Sequence, residues 1–173
     1  MPFSYYHRLA PRQKKIYQQS DAIETVVLPD ARSLQPLAAA VGAALQTEER
    51  LATQAATTHL IDSLHTQLRV PPVEVVVLAK RPSRDWGELH GLYEFGGARA
   101  RPRITLWMRT AQRRQVVAFR TFLRTVLHEV GHHLDYHLLR LQDSFHTEGF
   151  YKRESSLFRQ LVPGEAPAKP PAA

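Results

Sequence analysis

Residues 112–139 read as one long helix whose two sides need opposite surroundings, and this limits the folds open to the chain more than any other segment. Phe119, Phe122, Leu123, Val126, Leu127, Val130 and Leu134 recur at helical spacing and make an apolar stripe that must lie on a core. At 100° per residue, Thr121, Arg124, Thr125, His128, His132 and Asp135 fall within about 60° of the direction of His128. That polar stripe faces away from the apolar one.

The polar stripe contains His128-Glu129-Val130-Gly131-His132, an H-E-x-x-H match. Residues four apart lie one turn above each other, so two imidazoles can converge on one metal ion. Glu129 points about 100° aside, where a carboxylate reaches a water on the metal rather than the metal. Two histidines and a glutamate in this pattern are the arrangement of a zinc peptidase. The chain has no cysteine, so a thiolate zinc site, an iron–sulfur site and a disulfide scaffold are excluded. Two histidines do not close a zinc site, and the downstream residues open to the third place are Asp135, His137, His146, Glu148 and Glu154. His137 points to the opposite side of the helix. Asp135 is on the right face but too short, and suits orienting an imidazole. His133, about 140° from His128, reads as a buried or interfacial histidine.

H-E-x-x-H, then His146 fourteen residues after His132, then the aromatic Phe150 four residues later, resembles the SprT-like zincin metallopeptidases over residues 73–161. Thr147 stands where that family often has glycine, and the cysteine-based zinc ribbon of many members is missing. The motif also resembles minimal gluzincins, in which a later glutamate is the third ligand. Glu154, 22 residues past His132, fits that pattern, and Glu148 is a further alternative. The resemblance implies one zinc ion on His128, His132 and His146, Glu129 as general base, and a polypeptide substrate. Peptide hydrolysis also needs a group to stabilise the oxyanion, and Tyr151 and Arg153 are the candidates. An extended substrate is expected to pair with an edge strand near the metal, for which residues 104–109 are the candidate.

The remaining pattern sets the fold class. Residues 11–20 and 34–46 read as helices, the second capped by Ser33, and a helix from Thr47 to Leu68 carries the stripe Leu51, Ala55, Leu60, Ile61, Leu64 and Leu68. His59 and His65 on it read as surface or hydrogen-bonded residues. Residues 22–28 are β-prone; residues 73–79, 88–95 and 103–109 read as strands, and residues 147–161 as a last helix. The expectation is an α+β, zincin-like domain: a small three-stranded sheet packed on the H-E-x-x-H helix, with N-terminal helices. Residues 1–30 form an arm, 31–162 the domain, and 163–173 a disordered Pro/Ala tail.

The net charge is +7, and 18 of the 23 basic residues are arginine, scattered rather than blocked. Arg99, Arg101, Arg103, Arg113 and Arg114 flank the motif helix in sequence. They permit weak, sequence-indifferent nucleic-acid binding, a property that some SprT-like relatives would share. The competing readings are therefore a DNA-associated relative and a metal-binding protein without activity. No stretch approaches a membrane span and the N-terminus lacks a secretory apolar region, so a cytoplasmic protein without a membrane partner is expected.

Overall fold

The computed structural model describes residues 2–80, 91–96, 100–110 and 115–164. The start of the strand read over 88–95, Arg99, Arg113, Arg114 and most of the Pro/Ala tail lie outside the described residues. The described chain is α+β. A short 3-10 helix, Ser4–Arg8, precedes α1 (Pro11–Asp21), α2 (Ala31–Gln46) and α3 (Arg50–Leu68). Strands β1 (Glu74–Lys80), β2 (Gly91–Glu94) and β3 (Arg103–Arg109) follow, then α4 (Phe119–His137) and α5 (Glu148–Leu161).

Local chemistry sets the helix ends. Pro11 opens α1, where its missing N–H costs nothing. Asp30, not Ser33, caps α2, its carboxylate accepting the Ser33 N–H at 3.2 Å. On α3 the buried face differs from the expected stripe. Leu51 is exposed while Thr53 and Thr57 are buried. Their hydroxyls donate to the carbonyls of Glu49 and Thr53, four residues back, so threonine can enter the core with its polar group satisfied. The motif helix starts later than its periodicity predicts. Val116 pairs with Arg109 and the Val117 N–H donates to Met108 O at 2.8 Å, so this β-branched pair continues strand-like bonding until Phe119.

The sheet order is β1-β3-β2, with β1 parallel and β2 antiparallel to β3. This corrects the expectation for residues 104–109: β3 is the central strand, hydrogen-bonded on both sides, and offers no edge. On the far side of β1, Gln54 accepts the Val77 N–H and Arg50 donates to Val77 O, so α3 covers that edge. The other outer strand, β2, lies against α4. Nearly continuous apolar residues on β1 and β3, among them Val77, Ile104 and Leu106, join Leu60, Ile61, Leu64, Phe122, Leu123, Val126, Leu127 and Leu157 in one core.

Residues 22–28 are not a strand. Val26 and Leu28 are buried, but their backbone is satisfied by one side chain: Gln160 accepts the Leu28 N–H and donates to Val26 O. The N-terminal residues pack onto the last helix. Tyr17 and Ser20 are buried, the Phe3 N–H donates to the Tyr17 hydroxyl, and α1 contacts α5. Among the described residues, no helix is long and apolar enough to cross a membrane.

His65 is neither a surface residue nor a hydrogen-bonded one. It is buried and stacks on His133 with ring centroids 4.6 Å apart, and neither of its nitrogens has a hydrogen-bond partner among the described residues. Burial, and then the neighbouring His133 and His137, lower its pKa to about 3. The folded state thus keeps His65 neutral where the unfolded chain takes up a proton near pH 6.5. Its stabilising share is complete above that pH and is lost as pH falls towards 3. Urea unfolding between about pH 7 and 4.5 should show stability falling with acid. His65→Leu should remove about one proton's worth of that slope, at most about 1.4 kcal/mol per pH unit. An unchanged slope in the variant would contradict this assignment.

Candidate metal centre

α4 delivers His128 and His132 one turn apart on its exposed side, and the turn before α5 delivers His146. The cap of α5 fixes that turn: the Thr147 hydroxyl accepts the Phe150 N–H at 2.9 Å, and the Tyr5 hydroxyl donates to the backbone carbonyl of His146 at 2.7 Å. The three rings close on one point. Nε2 of His146 lies 3.0 Å from Nε2 of His128 and 3.1 Å from Nε2 of His132. These three imidazoles form a group able to hold a metal ion.

The other ring nitrogens decide whether the converging ones carry lone pairs. Nδ1 of His128 lies 3.2 Å from Glu154 Oε2, and a carboxylate only accepts, so Nδ1 carries the proton. Nδ1 of His132 lies 2.7 Å from Ser144 Oγ, which itself donates to Asp135 Oδ2 at 2.7 Å. Ser144 therefore accepts from His132. In both rings Nε2 is left bare and aimed at the common point. Burial, then the neighbouring imidazoles, lower the pKa of His132 to about 3. His146 keeps an exposed edge, yet desolvation of its ring and the nearby His128 lower it to about 4. Two nitrogen lone pairs this close repel one another unless a proton or a metal cation lies between them. Their spacing is slightly under the roughly 3.3 Å separating nitrogens bound tetrahedrally at zinc distances of about 2.0–2.1 Å. The donor set fits the metal that the sequence implies.

Glu129 lines the same cavity but is not part of the nitrogen cluster. It is buried against β2, where the Tyr93 N–H hydrogen-bonds it. Burial raises its pKa to about 7, against the opposing pull of His128 and that N–H. The seat exists because residue 91 is glycine: a Cβ there would stand 2.5 Å from Glu129 Oε1. Phe150, fully buried, forms the floor beneath the imidazoles, with ring centroids 4.8 Å from His132 and 5.0 Å from His128.

The other sequence candidates sort by position. Asp135 stands behind His132 through Ser144. Glu154 stands behind His128 on its Nδ1 side, away from the Nε2 cluster. Glu148 is on the surface, paired with Lys152 at 3.0 Å. Tyr151 lines the cavity, its ring 5.9 Å from His146 and 6.1 Å from His128. Arg153 does not line it. Its guanidinium is buried and committed to Asp135, Ser20 and the carbonyl of Ile23, which places it in support of the site and not in contact with a substrate. His137 faces away, stacked near Phe95. Sequence reasoning missed Gly91, Tyr93, Ser144 and Tyr5. Only Gly91 carried a signal, a glycine inside a strand pattern, which marks close backbone approach.

The cavity over the cluster has a volume of about 690 Å³ and is also lined by Gly91, Leu92 and Tyr93 of β2 and by Thr121, Arg124 and Thr125 of α4. Of the arginines flanking the motif helix in sequence, Arg103 pairs with Glu74 at 2.9 Å and Arg101 is exposed. Comparison with known protein families, curated proteins and solved structures finds no match to this chain.

Glu154→Gln and Ser144→Ala each remove a group that holds an imidazole in its metal-ready tautomer. Each should weaken zinc binding by about 10–100-fold in chelator competition, with the fold retained. Affinity unchanged in both would show that these contacts do not orient the ligands.

Proposed function

We propose that this chain is a zinc-dependent metallopeptidase of the SprT-like kind, hydrolysing peptide bonds with Glu129 as general base. The observation that carries the reading is the separation of roles inside one cavity. Three imidazoles turn Nε2 to one point, and a buried carboxylate one residue from a ligand stays outside that set. A structural metal site has no use for such a base. The spacing of His146 and the position of Glu154 behind His128 favour the SprT-like ligand set over the gluzincin one.

His128, His132 and His146 would hold the zinc ion, which would supply Lewis acidity towards a water molecule and a substrate carbonyl. Glu129 takes the proton from that water and returns it to the leaving amine. Gly91 and the Tyr93 N–H hold the carboxylate at the cavity wall while it does so. β2, and not β3, is the strand along which an extended polypeptide would lie. The Tyr151 hydroxyl, at the opposite wall, is the donor available to the oxygen that gains charge.

Two variants test the base. Glu129→Gln should keep one zinc per chain and lose at least about 100-fold of peptide hydrolysis, as expected for removal of a general base. Gly91→Ala should also keep zinc but lower kcat, because its Cβ displaces the Glu129 carboxylate. His146→Ala should lose the metal itself. Hydrolysis at the wild-type rate by the Glu129→Gln protein would refute the proposal.

A further inference from the structure

Arg124 sits on α4 four residues before His128, about 6 Å along the helix axis, and lines the same cavity. Its guanidinium lies over the buried ring of Phe158, carbon to centroid 4.2 Å, and this contact fixes its plane. Nη1 approaches Glu154 Oε1 at 3.4 Å, a long contact for a charge pair. The other oxygen of Glu154 belongs to His128. Arginine has five N–H donors and stays charged at any working pH, so this single contact leaves most of its capacity unused. Thr121 and Thr125 line the same end of the cavity and add no carboxylate.

The charges at the centre do not balance. Among the described lining residues, Glu129 and Glu154 bring at most two negative charges and Arg124 one positive, and a bound divalent metal would add two positive. The loaded cavity would therefore keep an excess of at least one positive charge, with a fixed guanidinium at one end. We infer that Arg124 forms a carboxylate-binding subsite, which selects polypeptides presenting an acidic side chain or a free C-terminal carboxylate next to the scissile bond. This inference rests on the peptidase reading for the identity of the substrate. An extended chain advances about 3.3 Å per residue and a side chain adds its own length, so a carboxylate on the residue adjoining the metal-bound position can approach a group about 6 Å along α4. Tyr93 and Tyr136, which also line the cavity, are aromatic, and among the described lining residues Arg124 is the only arginine or lysine.

The test uses the zinc-loaded full chain and two small hydroxamates, succinic monohydroxamate and its terminal primary amide, titrated by calorimetry. Wild type should bind the carboxylate form at least about tenfold more tightly, in line with a charge-assisted hydrogen bond. The advantage should fall below about twofold in Arg124→Gln at equal zinc content and survive in large part in Arg124→Lys. Arg124→Met serves in its place if the glutamine variant loses metal. Equal binding of both probes by wild type, or an undiminished preference in Arg124→Gln, would overturn the subsite. Peptides with an internal Glu and an amidated end, against peptides with a free C-terminus and no acid, then separate the two carboxylate sources. A probe preference that depends on Arg124, with no peptide cleaved, would uphold the subsite and remove the peptidase reading.

Discussion

The ion pair between Asp135 and Arg153 is the joint that the site depends on. Its charged atoms are 2.9 Å apart and both side chains are almost fully buried. Desolvation alone raises the pKa of Asp135, and Arg153 and Ser144 oppose that rise. Such a pair is tolerable only when the remaining donors and acceptors are satisfied, and here they are. Arg153 also donates to the Ser20 hydroxyl and to the carbonyls of Ser20 and Ile23, and Asp135 accepts from Ser144. One network thus joins the end of α1, α4, α5 and the segment carrying the third histidine. Removing either partner would leave a buried, uncompensated charge, a loss of about 3–5 kcal/mol in comparable cases.

Through Ser144 this network reaches His132, and a parallel one reaches His128 through Glu154 and Arg124. Both end on an Nδ1 proton, and both leave Nε2 bare. The polar face of α4 is therefore more than a solvated surface: part of it is buried, and its buried acid is spent on holding an imidazole. The N-terminal residues belong to the same construction, since Tyr5 holds the backbone of His146 and α1 anchors Arg153. Phe150 fills the space under the three rings, so packing and hydrogen bonding fix the site from two directions.

Much of this could be read from the sequence where a short-range rule applied. The histidines of α4 follow from helical spacing, Phe150 from its place four residues after His146, and β1 and β3 from their β-branched runs. The strand order could not be read, because a parallel crossover and an antiparallel return leave the same local pattern; β3 was taken for an edge and is central. The roles of Glu154 and Arg153 depend on which side of an imidazole or a helix they reach, which spacing alone does not decide. The burial of His65 is not legible locally, because its ring meets His133 of α4, far away in the chain. The segment 22–28 has strand chemistry but meets a glutamine side chain instead of a neighbouring strand.

A crystal structure of the zinc-loaded protein, with anomalous data at the zinc edge, tests the central claim most directly. The account predicts one peak per chain, bonded to Nε2 of His128, His132 and His146, with Glu154 on Nδ1 of His128 and Glu129 outside the ligand set. A peak bonded to the Glu154 carboxylate, or no peak at the three histidines, would contradict it.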